Sequence, residues 1–470
     1  MTHPLTSLRA ALGLSQPEYA RLVARTHDEL GLGRMAARRE KVSRWESGRI
    51  APEFTAQLAM AHLHGVAAQE VRRLGWPFWT HLATRDAALL EQPHTDGGAV
   101  TVLAGTALPP EETPARAPAP VLRGAALTGQ LRGALERLRL DRPVAAPAPG
   151  ADLGALTGRV AGIEARTGAL EGHENATGLS PAVLYAAAHA EHRLVVSLLT
   201  RAGHPGPPSA HPPSAHPPSA HPSSAHPSVP RLFALAARTS LLCGWFSLAL
   251  GEDARAERHG LAAVRAAAAA GEPALAARAM SQLTLHQLVA GAAEGAVTLI
   301  RAARAAGPRS PAAEATLHCF DATATARLGH ASAAEAALDH AGQCMADAPA
   351  DPSLDPGIHQ RLSITRGGVL WYLGRPRRAA PYFRAFTDTL LLPQDTAHHP
   401  HTALWLLYAV DTHLALGELD VAAALVHRAL DLTGVLPPGL ARDYRGKLTV
   451  HRHEPLIAHA LDHLNDSAAP

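Results

Sequence analysis

Aromatic residues make up only 4% of this 470-residue chain, and valine and isoleucine are sparse beside alanine and leucine. β-Branched and aromatic side chains are what sheets collect, whereas alanine and straight-chain residues lose little on entering a helix. The shortage argues against sheet structure, and we expect an all-α protein. Cysteine is scarce as well: Cys243, Cys319 and Cys344 are far apart, odd in number and without paired metal-type spacing. They read as small core hydrophobes in a reducing compartment. No apolar run approaches the roughly 20 residues that a membrane span needs. The opening stretch "MTHPLTSLRAALGLSQ" lacks the apolar core of a signal peptide. We therefore expect a cytoplasmic protein with no membrane partner. Also missing are a P-loop signature, HExxH, GxSxG and any paired-cysteine cluster, so neither catalysis nor a cofactor has a visible home. Net charge is +2, which leaves any argument about partners to local charge.

What the chain does contain is organised in blocks. Residues 1 to 75 are helical in pattern and poor in proline. Residues 76 to 150 are heavy in Pro, Ala and Gly ("ALPPEETPARAPAPVLRGAAL", "RPVAAPAPGADLG") and read as a short helix plus a disordered linker, since such a composition buries too little apolar surface to offset chain entropy. The helix is expected at Leu131 to Leu140. Between 151 and 203, apolar residues recur at helical spacing (Leu153, Leu156, Val160, Ile163). "SPAVLYAAAHAEHRLVVSLLTRAG" then offers Ser180 as N-cap, Pro181 at the first helical position and Gly203 as the stop, so a helical pair is expected. Residues 204 to 230 repeat "PPSAH", with His211, His216, His221 and His226 in five-residue steps. The favoured reading is a solvated polyproline-type spacer, set against a weak metal-binding tract.

From 231 to 465 a pattern of Gly followed by Ala five and twelve residues later recurs. The sets are Gly251, Ala256 and Ala263; Gly291, Ala296 and Ala303; Gly329, Ala334 and Ala341; Gly374 and Ala379, with Phe386 third; and Gly417, Ala422 and Ala429. A glycine ends one helix in the left-handed turn, and two alanines seven apart share a face of the next, where a small side chain lets a neighbouring backbone approach. Such hairpins bury their apolar face only by stacking. The five segments resemble tetratricopeptide repeats, and "LALGELDVAAALVHRAL" matches most closely. The period exceeds that family's 34 residues by four or more, which leaves room for longer helices or loops.

The N-terminal block holds the most informative motif. "LRAALGLSQPEYARLVA" offers a short helix over Leu8 to Leu12 and a turn at Gly13. A second helix follows, with Ser15 as N-cap and Glu18 three places on, a capping-box spacing. Leu12, Leu14, Tyr19, Leu22 and Val23 form the apolar face. Further on, "REKVSRWESGRIAPE" sets Trp45 within six basic residues running from Arg34 to Arg49. Val42 and Trp45 are three apart and share a face, while Arg39, Lys41 and Arg44 point elsewhere. The indole is expected to anchor this helix on the first two, with Gly48 as its stop. Glu46 is assigned to structure, bonding an arginine of the second helix such as Arg21 or Arg25. Taken alone, six cations on a short helix also fit a solvated face, with Arg49 paired to Glu46 or Glu53.

The group Leu14, Ser15, Gln16, Ala20, Val42, Ser43, Trp45, Glu46, Gly48, Arg49 and Pro52, followed by "FTAQLAMAHLHGV", resembles the lambda-repressor-like (XRE-family) helix-turn-helix domain of bacterial regulators. Relative to that family, about a dozen extra residues separate Gln16 from Trp45. Either the second helix is longer, or an added loop with Gly31 and Gly33 as turn residues precedes the third. The resemblance implies that the third helix enters the major groove of double-stranded DNA. Arg38, Arg39 and Lys41 would then read bases, while Gln16, Ser43, Arg44 and Arg49 meet phosphates. Residues 1 to 90 hold 12 Lys or Arg against 8 Asp or Glu, a local net of +4. The resemblance further implies a transcriptional regulator, homodimeric, with repeats that take a peptide or protein effector and an output in development or secondary metabolism. The rival expectation is an adaptor whose helix-turn-helix domain no longer binds DNA. "DTAHHPHTALW" (His398, His399, His401) and "VHRHE" (His451, His453, Glu454) could ligate zinc, but polar loops or helix ends explain them more simply.

Overall fold

The computed structural model describes residues 4–77, 79–80, 83, 92–108, 122, 124–140, 153–172, 181–203, 228–307, 310–346, 358–391, 402–433, 436 and 438–466. Among these residues all regular structure is helical, in 21 helices. The all-α expectation holds. The chain divides into two compact units, one of residues 1–171, 184–244 and 257–279, the other of residues 172–183, 245–256 and 280–470.

The first unit opens with α1 (Pro4–Ala11), α2 (Gln16–Glu29), α3 (Arg39–Glu46), α4 (Phe54–Leu63) and α5 (Ala68–Leu74). Helix α1 begins four residues before the expected start, because Leu5 and Leu8 both reach the core. Leu5, Leu12, Tyr19, Val23, Val42, Trp45, Met60 and Val71 form one hydrophobic cluster. It extends past residue 75 to Trp79 and Ala83. Trp79 is fully buried and donates its indole N–H to Gln57 Oε1 at 3.2 Å. Buried polar atoms need such partners, and Gln57 in turn donates to the Pro52 carbonyl at 2.8 Å.

The segment read as a short helix plus linker holds two helices, of which the second covers most of the expected one at Leu131 to Leu140 but starts seven residues earlier, and the first was not expected. Residues 96–106 form α6 (Asp96–Thr106) and residues 124–138 form α7 (Gly124–Leu138). Thr95 caps α6 by accepting from the Gly98 N–H at 3.2 Å, and Ala99, Val102 and Leu103 are buried. The flanking prolines dilute the composition of the segment and hide this short apolar run. Residues 109–121 and 141–150 lie outside the described residues, as do Ser180 and the histidines of the "PPSAH" repeat. The expected pair is present as α8 (Leu153–Gly172) and α9 (Pro181–Gly203). Val160 and Ile163 share a second core with Leu103, Val195, Leu199, Phe233 and Ala266.

Three helices follow: α10 (Ser228–Ala249), α11 (Asp253–Ala270) and α12 (Pro273–Val289). Residues 229–249 have a mean hydropathy of 1.5, enough in length and composition to cross a membrane, which corrects the expectation that no run comes near it. Arg231 and Arg238 interrupt the run in the sequence and disguise it. In the fold, 78% of that window is buried, with Leu232, Phe233 and Leu235 in the second core. A core helix of this kind satisfies the same hydropathy test as a membrane span.

The second unit continues as α13 (Ala293–Ala306), α14 (Pro311–Arg327), α15 (Ala331–Ala346), α16 (Ile358–Tyr372), α17 (Pro376–Leu391), α18 (Thr402–Leu416), α19 (Leu419–Thr433), α20 (Pro438–Thr449) and α21 (Pro455–Asp466). Helices pack on their chain neighbours (α14 on α15, α16 on α17, α18 on α19) and on the next but one (α14 on α16, α16 on α18, α17 on α19, α19 on α21). The five marker glycines, Gly251, Gly291, Gly329, Gly374 and Gly417, all have φ between 70° and 79°. Each stands between consecutive helices, where the left-handed turn excludes most other residues. Ala263, Ala296, Ala303, Ala334, Ala341, Ala379, Ala422 and Ala429 are fully buried, and Ala256 nearly so. The Phe386 side chain lies outside the described residues. A sixth turn has the same geometry but breaks the sequence pattern: Gly271 at φ 74°, Ala276 fully buried, and Leu283, not alanine, at the third place. Cys243 and Cys319 are buried, Cys344 is half-buried, and all three are free thiols.

Candidate nucleic-acid interface

The candidate interface is built on α3, and its position follows from two buried side chains. Val42 is fully buried and Trp45 is 5% exposed. Both join the core formed by α1, α2 and α4, so α3 is held by the face they share. Burying an indole removes 150–250 Å² of mostly apolar surface from water, roughly, which makes it the dominant anchor of so short a helix. Ser47 closes α3, and the Gly48 N–H bonds back to the Trp45 carbonyl at 3.1 Å with φ 68°.

Helix α2 is fixed at its start. The Ser15 backbone N–H donates to Glu18 Oε2 at 2.8 Å and its hydroxyl donates to the same oxygen at 2.5 Å. These bonds hold the Glu18 carboxyl below its ordinary pKa, the hydroxyl contributing most. At the other side of the domain the Tyr19 hydroxyl lies 2.8 Å from Nε2 of His64. Burial pushes the Tyr19 pKa up and lowers that of His64 from 6.5 to about 3. The pair is therefore neutral over the physiological range and ties α2 to the end of α4.

Glu46 is tied into the domain by hydrogen bonds, but its arginine partner is not on α2. Its carboxylate accepts from Arg9 Nε of α1 at 2.6 Å and from Gln16 Nε2 at 2.7 Å. Arg21 and Arg25 are exposed on α2, and Arg25 pairs with Glu29 instead. The correction has a simple cause: α1 lies against α3, so an arginine one turn from its C-terminus reaches Glu46 where α2 presents Gln16. Arg9 also donates to the Leu14 carbonyl at 2.6 Å, closing the turn between α1 and α2. It is the residue that sequence reasoning missed. Its only signal was an arginine at the end of the first helix, with no carboxylate nearby in sequence to suggest a partner.

The cations fall around this frame. Arg38 is the N-cap of α3, with extended backbone, and lies just outside the helix. Arg39 is exposed at its first position, with Nε 3.5 Å from Gln16 Oε1. Ser43 and Arg44 are exposed, Lys41 is half-buried, and Arg49 is exposed in the turn after Gly48. Gln16 is half-buried between α2 and α3, with one amide hydrogen engaged by Glu46. Among the described residues no carboxylate pairs with Arg38, Arg39, Lys41, Arg44 or Arg49. The alternative in which Arg49 is neutralised by Glu46 or Glu53 is thus not realised. The stretch "RTHDELGLGRMAA" is divided between a longer helix and a loop: α2 runs on to Glu29, and residues 30–38 form a non-helical connection to α3.

No family model, curated protein or solved structure matches the chain. Of the other candidate ligand sets, His398, His399 and His401 lie outside the described residues, and His453 lies 3.6 Å from Glu454 on the surface.

Proposed function

We propose that this chain is a sequence-specific, double-stranded-DNA-binding bacterial transcriptional regulator. The observation that carries the reading is the α3 arrangement. One face is pinned by Val42 and Trp45, while Arg38, Arg39, Lys41, Arg44 and Arg49 are left without carboxylate partners among the described residues. Cations held at fixed positions without internal neutralisation are suited to a polyanion, because releasing its condensed counterions drives association. In this reading α3 enters the major groove. Arg38, Arg39 and Lys41 meet base edges there, where arginine pairs with guanine O6 and N7. Gln16, Ser43, Arg44 and Arg49 contact phosphates and set register.

One short helix in one groove buries too little surface for specific affinity, so the working form is a homodimer on two half-sites. The hairpins of the second unit serve as tetratricopeptide-like repeats that support dimerisation and accept a peptide or protein effector. Stacked helical pairs provide the extended surface that such a ligand needs. The site of action is the cytoplasm.

The test is a salt titration of duplex binding with the wild type and the Arg44→Ala/Arg49→Ala variant. Weaker binding and a shallower salt slope in a folded variant support the reading. Unchanged binding points to a protein-interaction adaptor whose helix-turn-helix-like domain does not touch DNA.

A further inference from the structure

The loop between α2 and α3 is tethered at several points. The Leu30, Gly31 and Leu32 N–H groups bond back to the Thr26, Asp28 and His27 carbonyls at 3.0, 2.9 and 3.0 Å. Gly31 and Gly33 take φ of 68° and 97°, left-handed backbone that favours glycine. His27, 5% exposed, sets Nδ1 2.8 Å from the Gly33 carbonyl oxygen; since a carbonyl only accepts, Nδ1 carries the hydrogen. Leu32 and Met35 pack against the same core that holds Val42 and Trp45. Arg34 lies between these tethers, exposed and with no carboxylate partner among the described residues. A loop that served only as slack would need neither the buried imidazole nor the two apolar anchors.

We propose that this tethered loop is a second DNA-contacting element, in which Arg34 neutralises a backbone phosphate beside the groove entered by α3, and His27 is the positioning residue that holds it there. The proposal rests on the DNA-binding reading of α3. Five residues separate Arg34 from Arg39, so their backbones are at most about 18 Å apart even if fully extended. The major groove is about 12 Å wide, which places a phosphate strand within reach of Arg34 when Arg39 is at the base edges. A guanidinium on a loop outside the groove meets phosphate and not base, so it adds affinity and register without sequence preference. The longer connection between the helices thereby widens the footprint of one domain.

The test uses the full chain and a random-sequence duplex pool, with affinity measured across a salt series. Arg34→Ala should lower the slope of log K against log salt by about one unit and leave the sequences selected from the pool unchanged. His27→Leu, which keeps the bulk and loses the donor, should lower the slope equally. His27→Asn, which returns a donor near the position of Nδ1, should restore it. Combining Arg34→Ala with His27→Leu should cause no further loss of slope. If Arg34→Ala leaves the slope unchanged while Arg44→Ala/Arg49→Ala reduces it, the loop proposal is overturned and the α3 reading stands. If neither changes it, both are overturned.

Discussion

Arg9 and Glu46 form the polar clasp of the N-terminal domain, with Nε and Oε1 2.6 Å apart and both side chains largely buried. The pair joins the end of α1 to the end of α3. Gln16 completes the carboxylate's hydrogen bonding from the start of α2. Three helices are therefore registered through one acidic group. The clasp adds a polar constraint on α3 to the apolar anchoring by Val42 and Trp45.

Removing Glu46 should accordingly cost more than an exposed ion pair. Glu46→Ala leaves the Arg9 guanidinium and the Gln16 amide without their acceptor and is expected to destabilise the domain by about 3 kcal/mol, in the range for breaking a buried pair. Glu46→Gln, which keeps one acceptor, should lose less. Amide hydrogen exchange of α1 and α3 in the full chain reads both.

Trp45 and the α3 cations should separate folding from binding. Trp45→Ala removes a nearly fully buried side chain and is expected to cost about 3–5 kcal/mol, losing DNA binding through unfolding. Arg39→Ala/Lys41→Ala should leave the helical circular dichroism and the thermal transition within experimental scatter. A large loss of helicity in the double variant would mean that these cations serve the fold.

The first unit should be acid-sensitive. His64 and His192 are buried, and each has its pKa lowered from 6.5 to about 3, with burial the main cause. His192 is held between Thr106 and Thr239 in the second core. The unfolded chain binds more protons than the folded one between these two values, so stability is retained above 6.5 and falls as pH drops towards 3. Each imidazole contributes about 1.4 kcal/mol per pH unit within that window. His64→Gln should flatten the pH dependence of exchange in α2 and α4. An unchanged profile would show that His64 does not titrate on unfolding.

The glycine turns of the hairpins should be intolerant for conformational reasons alone. At Gly291 and Gly329 a β-carbon would meet nothing within 4 Å, yet φ is 75° and 79°. Replacement by alanine should cost about 1–2 kcal/mol each through the left-handed backbone. Gly342, inside α15 and equally unobstructed, is the control. There alanine should stabilise by about 0.5–1 kcal/mol. Thermal unfolding of the three variants separates turn geometry from helix propensity.

Much of this fold could be read from residue spacing. The glycine and alanine periodicity located consecutive hairpin turns, because glycine takes that left-handed backbone without strain and alanine lets the packed neighbour approach closely. Val42 and Trp45 marked the buried face of α3 through their three-residue separation in a cationic stretch. Three features resisted. Helix α6 sits among prolines that dominate any window average, and α10 carries two arginines within a run otherwise apolar enough for a membrane. The Arg9–Glu46 clasp joins residues 37 positions apart, and no local pattern distinguishes Arg9 from Arg21 or Arg25 as the partner. Pairing across helices depends on their crossing, which spacing along one helix does not encode.

The most direct test of DNA binding through α3 is the affinity of the full chain for duplex DNA measured over a salt series, wild type beside the phosphate-contact variant Arg44→Ala/Arg49→Ala. The expected result is a steep fall in affinity with salt for the wild type and a slope shallower by about two units, or one per cation removed, in the folded variant. Duplex binding that is absent in the wild type, or identical in slope and strength in the two proteins, would contradict it.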